Sequence, residues 1–447
     1  MHDPSNNLAN MPFDNTNAQF KLATDVMENT NECLFITGKA GTGKSTLLRY
    51  FVENTKKSCV ILAPTGIAAI NVGGVTIHSF FWLPFRPIVE NDDEIHRFPR
   101  TSQKYKIIQK TDVFIIDEVS MLRADIIDAI DQTLRLNTAY PDKPFGGKQV
   151  IFFGDLFQLE PVVQNNEVEH YLFNSYYNSH YFFDARVFRS IHLNCIELRK
   201  IYRQTDSNFI HLLDSIRLNK ADALDIQKLN ARVNKHFVQD IADTYVTLSA
   251  RNSVAAAINE TELSRLSGQE FTYAGEITGE FNSKHLPTEL TMVFKEGAQV
   301  IFIKNNLDGK WVNGTIGKIH ELTTESIKVM LSNGEVEEVR KETWENKRYY
   351  WDSANRKVKS ETIGEFRQYP IKLAWAITIH KSQGLTFDKV ILELEGGLFA
   401  HGQLYVALSR CRSLEGLVLR EPIKPKDIII DERVIRFAQN YASLEDA

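Results

Sequence analysis

Gly38-Lys39-Ala40-Gly41-Thr42-Gly43-Lys44-Ser45 follows the apolar run Leu34-Phe35-Ile36 and leads into Thr46-Leu47-Leu48. This passage from strand to helix decides the fold. Glycines let backbone N–H groups close around phosphate oxygens, and a helix beginning at Ser45 adds its positive dipole end. Gly38, Ala40, Gly41, Thr42, Gly43 and Thr46 form the expected cradle, Lys44 reaches the β- and γ-phosphates, and Ser45 offers its hydroxyl to Mg²⁺. A glycine-rich turn of chance composition is the competing reading, and it leaves the flanking strand and helix unexplained. Kinases, GTPases, transporters and motors share such a cradle, so the rest of the chain must choose between them.

The 447 residues suffice for two to four domains, and 43% hydrophobic with 24% charged residues is the balance of a soluble globular chain. A formal charge of −5 gives no global basic signal, which speaks against a protein that coats nucleic acid indiscriminately and leaves a locally basic groove open. Cys33, Cys59, Cys195 and Cys411 lack paired spacing, so reduced core cysteines are expected rather than a disulfide framework or a zinc site. No apolar run approaches membrane-spanning length, and the Asn-rich start is unlike a signal or transit sequence; a cytoplasmic location away from membranes is expected.

Cys59 to Leu62, Val113 to Ile116 and Val150 to Phe153 are short β-branched and aromatic runs, each followed by a polar cluster. They predict parallel strands with helices on both faces, whose C-terminal ends collect ligands. After the second run stand Asp117 and Glu118. Asp117 is expected to hold Mg²⁺, and Glu118 to take a proton from an attacking water, a role that a hydrolase needs and a kinase does not. After the third run comes Gly154-Asp155-Leu156-Phe157-Gln158, which puts the Gln158 amide where it can sense a γ-phosphate or orient the water. After the first, Pro64, Thr65 and Gly66 make a rigid turn with N–H and hydroxyl groups suited to a phosphodiester.

Taken with Ile77-His78-Ser79-Phe80, Lys143-Pro144-Phe145-Gly146-Gly147, Leu198 to Gln204, Ala376 to Gly384 and Tyr405 to Arg412, these motifs resemble superfamily-one group B DNA helicases. Within that group the resemblance is to compact bacterial members of the petite integration frequency (PIF) helicases, relatives of RecD-like motors, and it runs through nearly the whole chain. The stretch from about Asp125 to Phe145 resembles the segment that separates the PIF helicases from their RecD-like cousins. Glu160 departs from the family, which commonly has another proline there; with Gln158 and Pro161 retained, the change is expected to matter little.

The resemblance implies an α/β fold of two RecA-like lobes. The first is expected over 1–190 with an inserted wedge at about 80–104. The second is expected over 191–295 and 370–447, around an SH3-like β insert at 296–369. It implies ATP and Mg²⁺ as cofactors, with Gln19 reading the adenine edge and Gly384 on the nucleotide side. It moves Arg203 and Arg410 towards arginine fingers; on the residues alone each serves equally as a structural arginine. For DNA it implies contacts from Pro64, Thr65, Gly66, His78, Ser79 and Phe80 in one lobe and Thr378, His380, Lys381 and Ser382 in the other. A monomer moving 5′ to 3′ along single-stranded DNA, with forked duplexes and G-quadruplexes as substrates, completes the implied picture.

Three stretches are less decided. Phe80 to Arg100 (FFWLPFRPIVENDDEIHRFPR) breaks the α/β pattern with aromatics and prolines, either a satellite apolar cluster or a surface that stacks on bases. Thr315 to Leu322, Ser326 to Leu331 and Glu335 to Val339, with Asn333-Gly334 as a tight turn, predict a small β domain. Thr343 to Trp351 is aromatic and basic and suits either DNA or the core of that domain. A nucleotide-controlled DNA-binding switch or loader, without processive unwinding, requires the same pocket and only one strand-gripping lobe. A small-molecule kinase is disfavoured by Glu118.

Overall fold

The computed structural model describes residues 13–440, apart from 90–91, 165, 205, 240–242, 284–285, 307 and 353–356. Its first lobe is built on six parallel strands, β1 (Leu34–Gly38), β2 (Cys59–Ala63), β3 (Val75–Thr76), β4 (Val113–Ile116), β5 (Gln149–Phe153) and β6 (Asn194–Leu198), in the order β3-β2-β4-β5-β1-β6. β1, β4 and β5 are buried at every residue, as their unbroken apolar runs predict. Their side chains alternate between two cores. Ile36, Ile61, Ile115, Ile151 and Phe153 meet α1 (Ala18–Asn29) and α2 (Lys44–Asn54) through Phe20, Met27, Leu47 and Phe51. Phe35, Val60, Leu62, Phe114, Ile116 and Phe152 face the other way, into a core that runs on into the second lobe.

Between β2 and β5 lie α3 (Gly66–Asn71), α4 (Ile77–Phe81), α5 (Gln103–Lys110) and α6 (Ala124–Leu136). The stretch from Phe80 to Arg100 tucks Phe81, Leu83, Ile88 and Phe98 into the core while Trp82 and Phe85 stay exposed. It is clipped to α6 by side chains, since Asp125 Oδ2 accepts from Ile88 N (3.0 Å) and Asn137 Oδ1 from Phe98 N (2.7 Å). The first lobe then closes with α7 (Glu167–Tyr171) and β6. Because β6 pairs with β1 along its whole length, that lobe reaches Leu198 and not 190 as expected.

The second lobe holds α8 (Ser207–Arg217), α9 (Ala223–Asn230), β7 (Val246–Ser249) and α10 (Asn252–Arg265) before the insert. The insert begins well before 296, with β8 (Phe271–Ala274), β9 (Glu276–Gly279) and β10 (Thr291–Phe294). It continues through β11 (Gln299–Phe302), β12 (Ile316–Leu322), β13 (Ile327–Leu331), β14 (Val336–Val339), the long hairpin β15 (Glu342–Asp352) and β16 (Lys357–Gln368), and β17 (Ile371–Leu373). A core of its own, with Phe302 stacked on Trp311 (4.4 Å between centroids), marks it as a separate unit. β18 (Ala376–Thr378), β19 (Val390–Glu393), α11 (Gln403–Leu408), β20 (Leu417–Leu419) and α12 (Glu432–Asn440) complete the lobe, whose parallel sheet runs β18-β7-β19-β20. Two parallel sheets with a β insert in the second lobe are the α/β architecture expected.

The hairpin β15–β16 answers one open question. Trp344 is buried and stacked on Phe366, and Tyr349 meets the edge of Phe80 in the first lobe (6.1 Å). Both aromatics serve packing, the second across the lobes. Among the described residues no helix is long and apolar enough to cross a membrane, and none of the four cysteines is in a disulfide, three of them being buried.

Candidate active site between the two lobes

β1, β4 and β5 end side by side, so the loops that leave them share one mouth. Gly43, with φ of 85°, caps the start of α2, and Gly41, with φ of 83°, carries the cradle past Arg203. A Cβ on Gly41 would stand 2.4 Å from the Arg203 Cβ, and one on Gly43 would stand 2.8 Å from the Phe20 ring. Only glycine fits either place. Lys44 donates to Gly38 O (2.6 Å) and Lys39 O (3.1 Å), which anchors its ammonium at the floor of the loop. Burial pulls its pKa down, against the pull of Asp155 and Glu118.

Asp117 and Glu118 follow β4, and Glu118 adopts a left-handed backbone (φ 51°). Burial pushes the pKa of both upward, and for Asp117 the neighbouring Glu118 adds to the rise. Two such carboxylates favour a cation. The donor set fits Mg²⁺: Asp117 and the exposed Ser45 hydroxyl suit an ion that takes one or two protein oxygens and fills its other positions with water and phosphate. Among the described residues no cluster of three or more His, Cys, Asp or Glu forms a site made by protein alone.

The second lobe meets this mouth at several points that sequence reading had not singled out. Asp155 is buried, and its carboxylate takes Gln158 Nε2 (3.2 Å) from its own loop and Arg217 Nη2 (3.1 Å) from α8. Burial alone would raise the Asp155 pKa, but Arg217 and Lys44 outweigh it and hold it low. Tyr405 in α11 accepts from Ala40 N (3.0 Å), and Lys39 pairs with Asp214 (2.6 Å). Gln383 Nε2 donates to Glu118 Oε2 (3.0 Å). The signal for Tyr405 and Gln383 lay in motifs already recognised. Asp214 and Arg217, on an ordinary amphipathic helix, gave none.

Glu160, expected to matter little, joins the lobes. Its Oε1 accepts from His401 N (3.1 Å), and its Oε2 lies 3.1 Å from His180 Nε2 and 3.2 Å from the Tyr181 hydroxyl. His401 in turn bonds Leu156 O through Nε2 (2.7 Å) and takes Asp431 N on Nδ1 (2.9 Å). A proline there would offer no carboxylate to this network.

The expected arginines differ from each other. Arg203 lines the cradle with a buried Nη1 that has no hydrogen-bond partner, and burial, with Arg410 nearby, pulls its pKa down to about 9. Arg410 is spent on its own lobe. Its guanidinium donates to Val406 O (2.9 Å), Leu385 O (3.2 Å) and Ser409 Oγ (2.8 Å), which supports the structural reading in this conformation. Gln19 lies at the start of α1, held near the cradle by the packing of Phe20 on Gly43.

One cleft of about 1150 Å³ is lined by the cradle and Gly384, expected on the nucleotide side, and by Thr65, His380 and Lys381, expected on the strand side. Lys381, Thr65 and Ser79 are exposed, Pro64 and Gly66 partly so, and His78 stacks on Phe85 (4.6 Å). Three expected contacts are corrected. Phe80 is 2% exposed and packs against Phe81, Phe114 and Tyr349, so its ring belongs to the core. Ser382 is fully buried with its hydroxyl donated to Ile379 O (2.7 Å), and the buried Thr378 hydroxyl accepts from Lys381 N (3.3 Å). Both hydroxyls shape the turn that presents Lys381.

Comparison with known proteins settles the family. Residues 14–226 match the model of PIF1-like helicases, and 373–418 match that of UvrD-like helicase C-terminal domains. The ATP-dependent DNA helicase Pif1 of Bdellovibrio bacteriovorus is 32% identical over 94% of this chain and 91% of its own. The chain belongs to the PIF1-like helicase family. Its enzyme class is accordingly that of an ATP-dependent helicase. It spans 62% of the length of the PIF1 helicase of Rattus norvegicus. A Bacteroides Pif1 solved in complex with ADP-AlF4 is 37% identical and superposes with a TM-score of 0.88, covering 95% of this chain and 96% of that one. A Bacteroides Pif1 bound to single-stranded DNA, with the same identity and coverage, gives 0.68. The lobes and insert described above thus lie nearer the arrangement of the first.

Proposed function

We propose that this chain is an ATP-driven DNA helicase and single-strand translocase, moving 5′ to 3′ and unwinding forked duplex and G-quadruplex DNA. The observation that carries the reading is the single cleft shared by the phosphate cradle and by Thr65, His380 and Lys381 from both lobes. A switch or loader needs a strand contact from one lobe only, whereas a ratchet needs two grips that alternate. The names and solved complexes of the relatives, which include single-stranded and forked DNA, support the substrate. ATP and DNA as substrates make an intracellular location part of the same reading.

Lys44 and Arg203 would hold the γ-phosphate, and Ser45 and Asp117 the Mg²⁺, which when bound neutralises phosphate charge. Glu118 takes one proton from water as the water oxygen bonds the γ-phosphorus, the bond to the β,γ-bridging oxygen breaks, and ADP leaves. Gln158, tied to Asp155, reads the γ-phosphate. Arg410 would serve as a finger only after release from Val406 and Leu385, so closure on ATP must include that change.

The test is unwinding of a fluorescent duplex bearing a 5′ or a 3′ single-stranded tail, with Mg²⁺-ATP and with Lys44→Ala as control. Separation of the 5′-tailed duplex alone, abolished in the variant, is the expected result. Strand-stimulated hydrolysis with no separation of either duplex would instead establish the switch.

A further inference from the structure

Gln383 belongs to the strand-side turn of the second lobe, yet its side chain crosses the cleft. Nε2 donates to Glu118 Oε2 (3.0 Å) and lies 3.5 Å from Gln158 Oε1. Among the described residues this is the one side-chain hydrogen bond that the Glu118 carboxylate accepts. An ionised carboxylate can only accept, so the amide must turn its NH₂ towards Glu118. That orientation leaves Gln383 Oε1 buried and without a partner. Buried polar atoms are paired as a rule, and an unpaired acceptor beside a general base asks for a donor. In a reaction that places water on Glu118, that water is the donor at hand.

We infer that Gln383 is a water-positioning residue for ATP hydrolysis: Nε2 fixes the Glu118 carboxylate, and Oε1 accepts the hydrogen of the attacking water that Glu118 does not take. The inference rests on the hydrolytic reading above. It also gives the strand a route to the base. Gln383 N bonds His380 O (3.3 Å) and Ser382 N bonds Thr378 O (3.0 Å), so one tight turn carries Lys381 on its strand side and Gln383 on its nucleotide side. Whatever sets that turn sets the base.

The experiment is steady-state ATP hydrolysis by the full chain at saturating oligodeoxythymidylate, comparing wild type, Gln383→Ala and Gln383→Glu. Binding of a fluorescent ATP analogue verifies that each variant retains a folded pocket. Gln383→Glu keeps the length but offers no donor to ionised Glu118. Both variants should lose about tenfold or more in kcat, with KM for ATP and half-saturating strand changed less than about twofold. An unchanged kcat, or a loss confined to strand affinity, would overturn the inference while leaving the helicase reading intact. Wild-type protein that does not hydrolyse ATP would overturn both.

Discussion

Replacing Arg217 by methionine tests whether the lobes are held together by charge or by packing. The Asp155 and Arg217 side chains are 0% and 6% exposed, and the pair joins the third nucleotide loop of one lobe to α8 of the other. Methionine keeps the aliphatic bulk against Phe157, over whose ring the guanidinium sits at 4.1 Å, and removes the charge. Stranding a buried carboxylate costs about 3–5 kcal/mol. At roughly 2–4 °C per kcal/mol for lobes of this size, Tm should fall by about 6 °C or more. The pH dependence identifies the cause. In the wild type Asp155 is held below the ordinary aspartate value, so its contribution is present above about pH 4 and is lost as pH falls through the lowered value. Without Arg217, burial dominates and raises that value, so the penalty develops as pH rises and shrinks towards acid. Adding Asp155→Asn to the variant should recover more than half of the lost Tm. Scanning calorimetry between pH 4 and 8 reads the fall in Tm, its pH dependence in the variant and the recovery. A fall below about 2 °C, or a larger one that does not vary with pH, would refute charge pairing and leave the Phe157 contact as the explanation.

Phe80→Ala should cost about 3–5 kcal/mol, read as a lowered denaturant midpoint, while the folded protein binds single strands as before. A fall in affinity at an unchanged midpoint would return Phe80 to the strand. Lys381→Ala should weaken strand binding at every sequence and reduce the slope of log K against log salt by about 0.7, the share of one phosphate contact. Anisotropy titrations at several salt concentrations read the slope, and an unchanged value would remove Lys381 from the groove.

How much of this was legible depended on whether a residue acts through its own loop or through a distant one. Gly41, Lys44, Asp117, Glu118 and Gln158 follow the ends of strands whose apolar runs are unmistakable, so spacing alone places them. Phe80 sits in a recognisable motif, but helical position does not reveal whether a ring points to core or cleft, and a tyrosine more than 250 residues away settles it. A neighbouring-residue view compares Glu160 only with proline; its partners His180 and Tyr181 lie about twenty residues on in the same lobe, and His401 comes within reach only once the lobes meet. The start of the β insert at 271 was missed because β8 and β9 are short, largely exposed strands with little apolar signal.

The cross-lobe contacts fall into two groups with different consequences for the motor. Glu160 with His401, and Asp155 with Arg217, involve no atom that would touch a triphosphate directly, so nucleotide exchange changes neither group at first hand. Arg203, Lys44 and Gln383 line the cleft in which the proposed triphosphate would sit. On the proposed reading a γ-phosphate would offer Arg203 Nη1 the partner it lacks and would compete with Gly38 O and Lys39 O for Lys44; its loss would withdraw both. A ligand moves two lobes only by contacts that differ between their arrangements. Those differential contacts lie on the cradle side of the cleft, while the carboxylate contacts of Glu160 persist behind it. Hydrolysis is therefore expected to hinge the lobes about the Leu156–Glu160 loop rather than part them, and the turn of Lys381 and Gln383, which faces the cradle, is the part of the second lobe that travels furthest relative to the nucleotide.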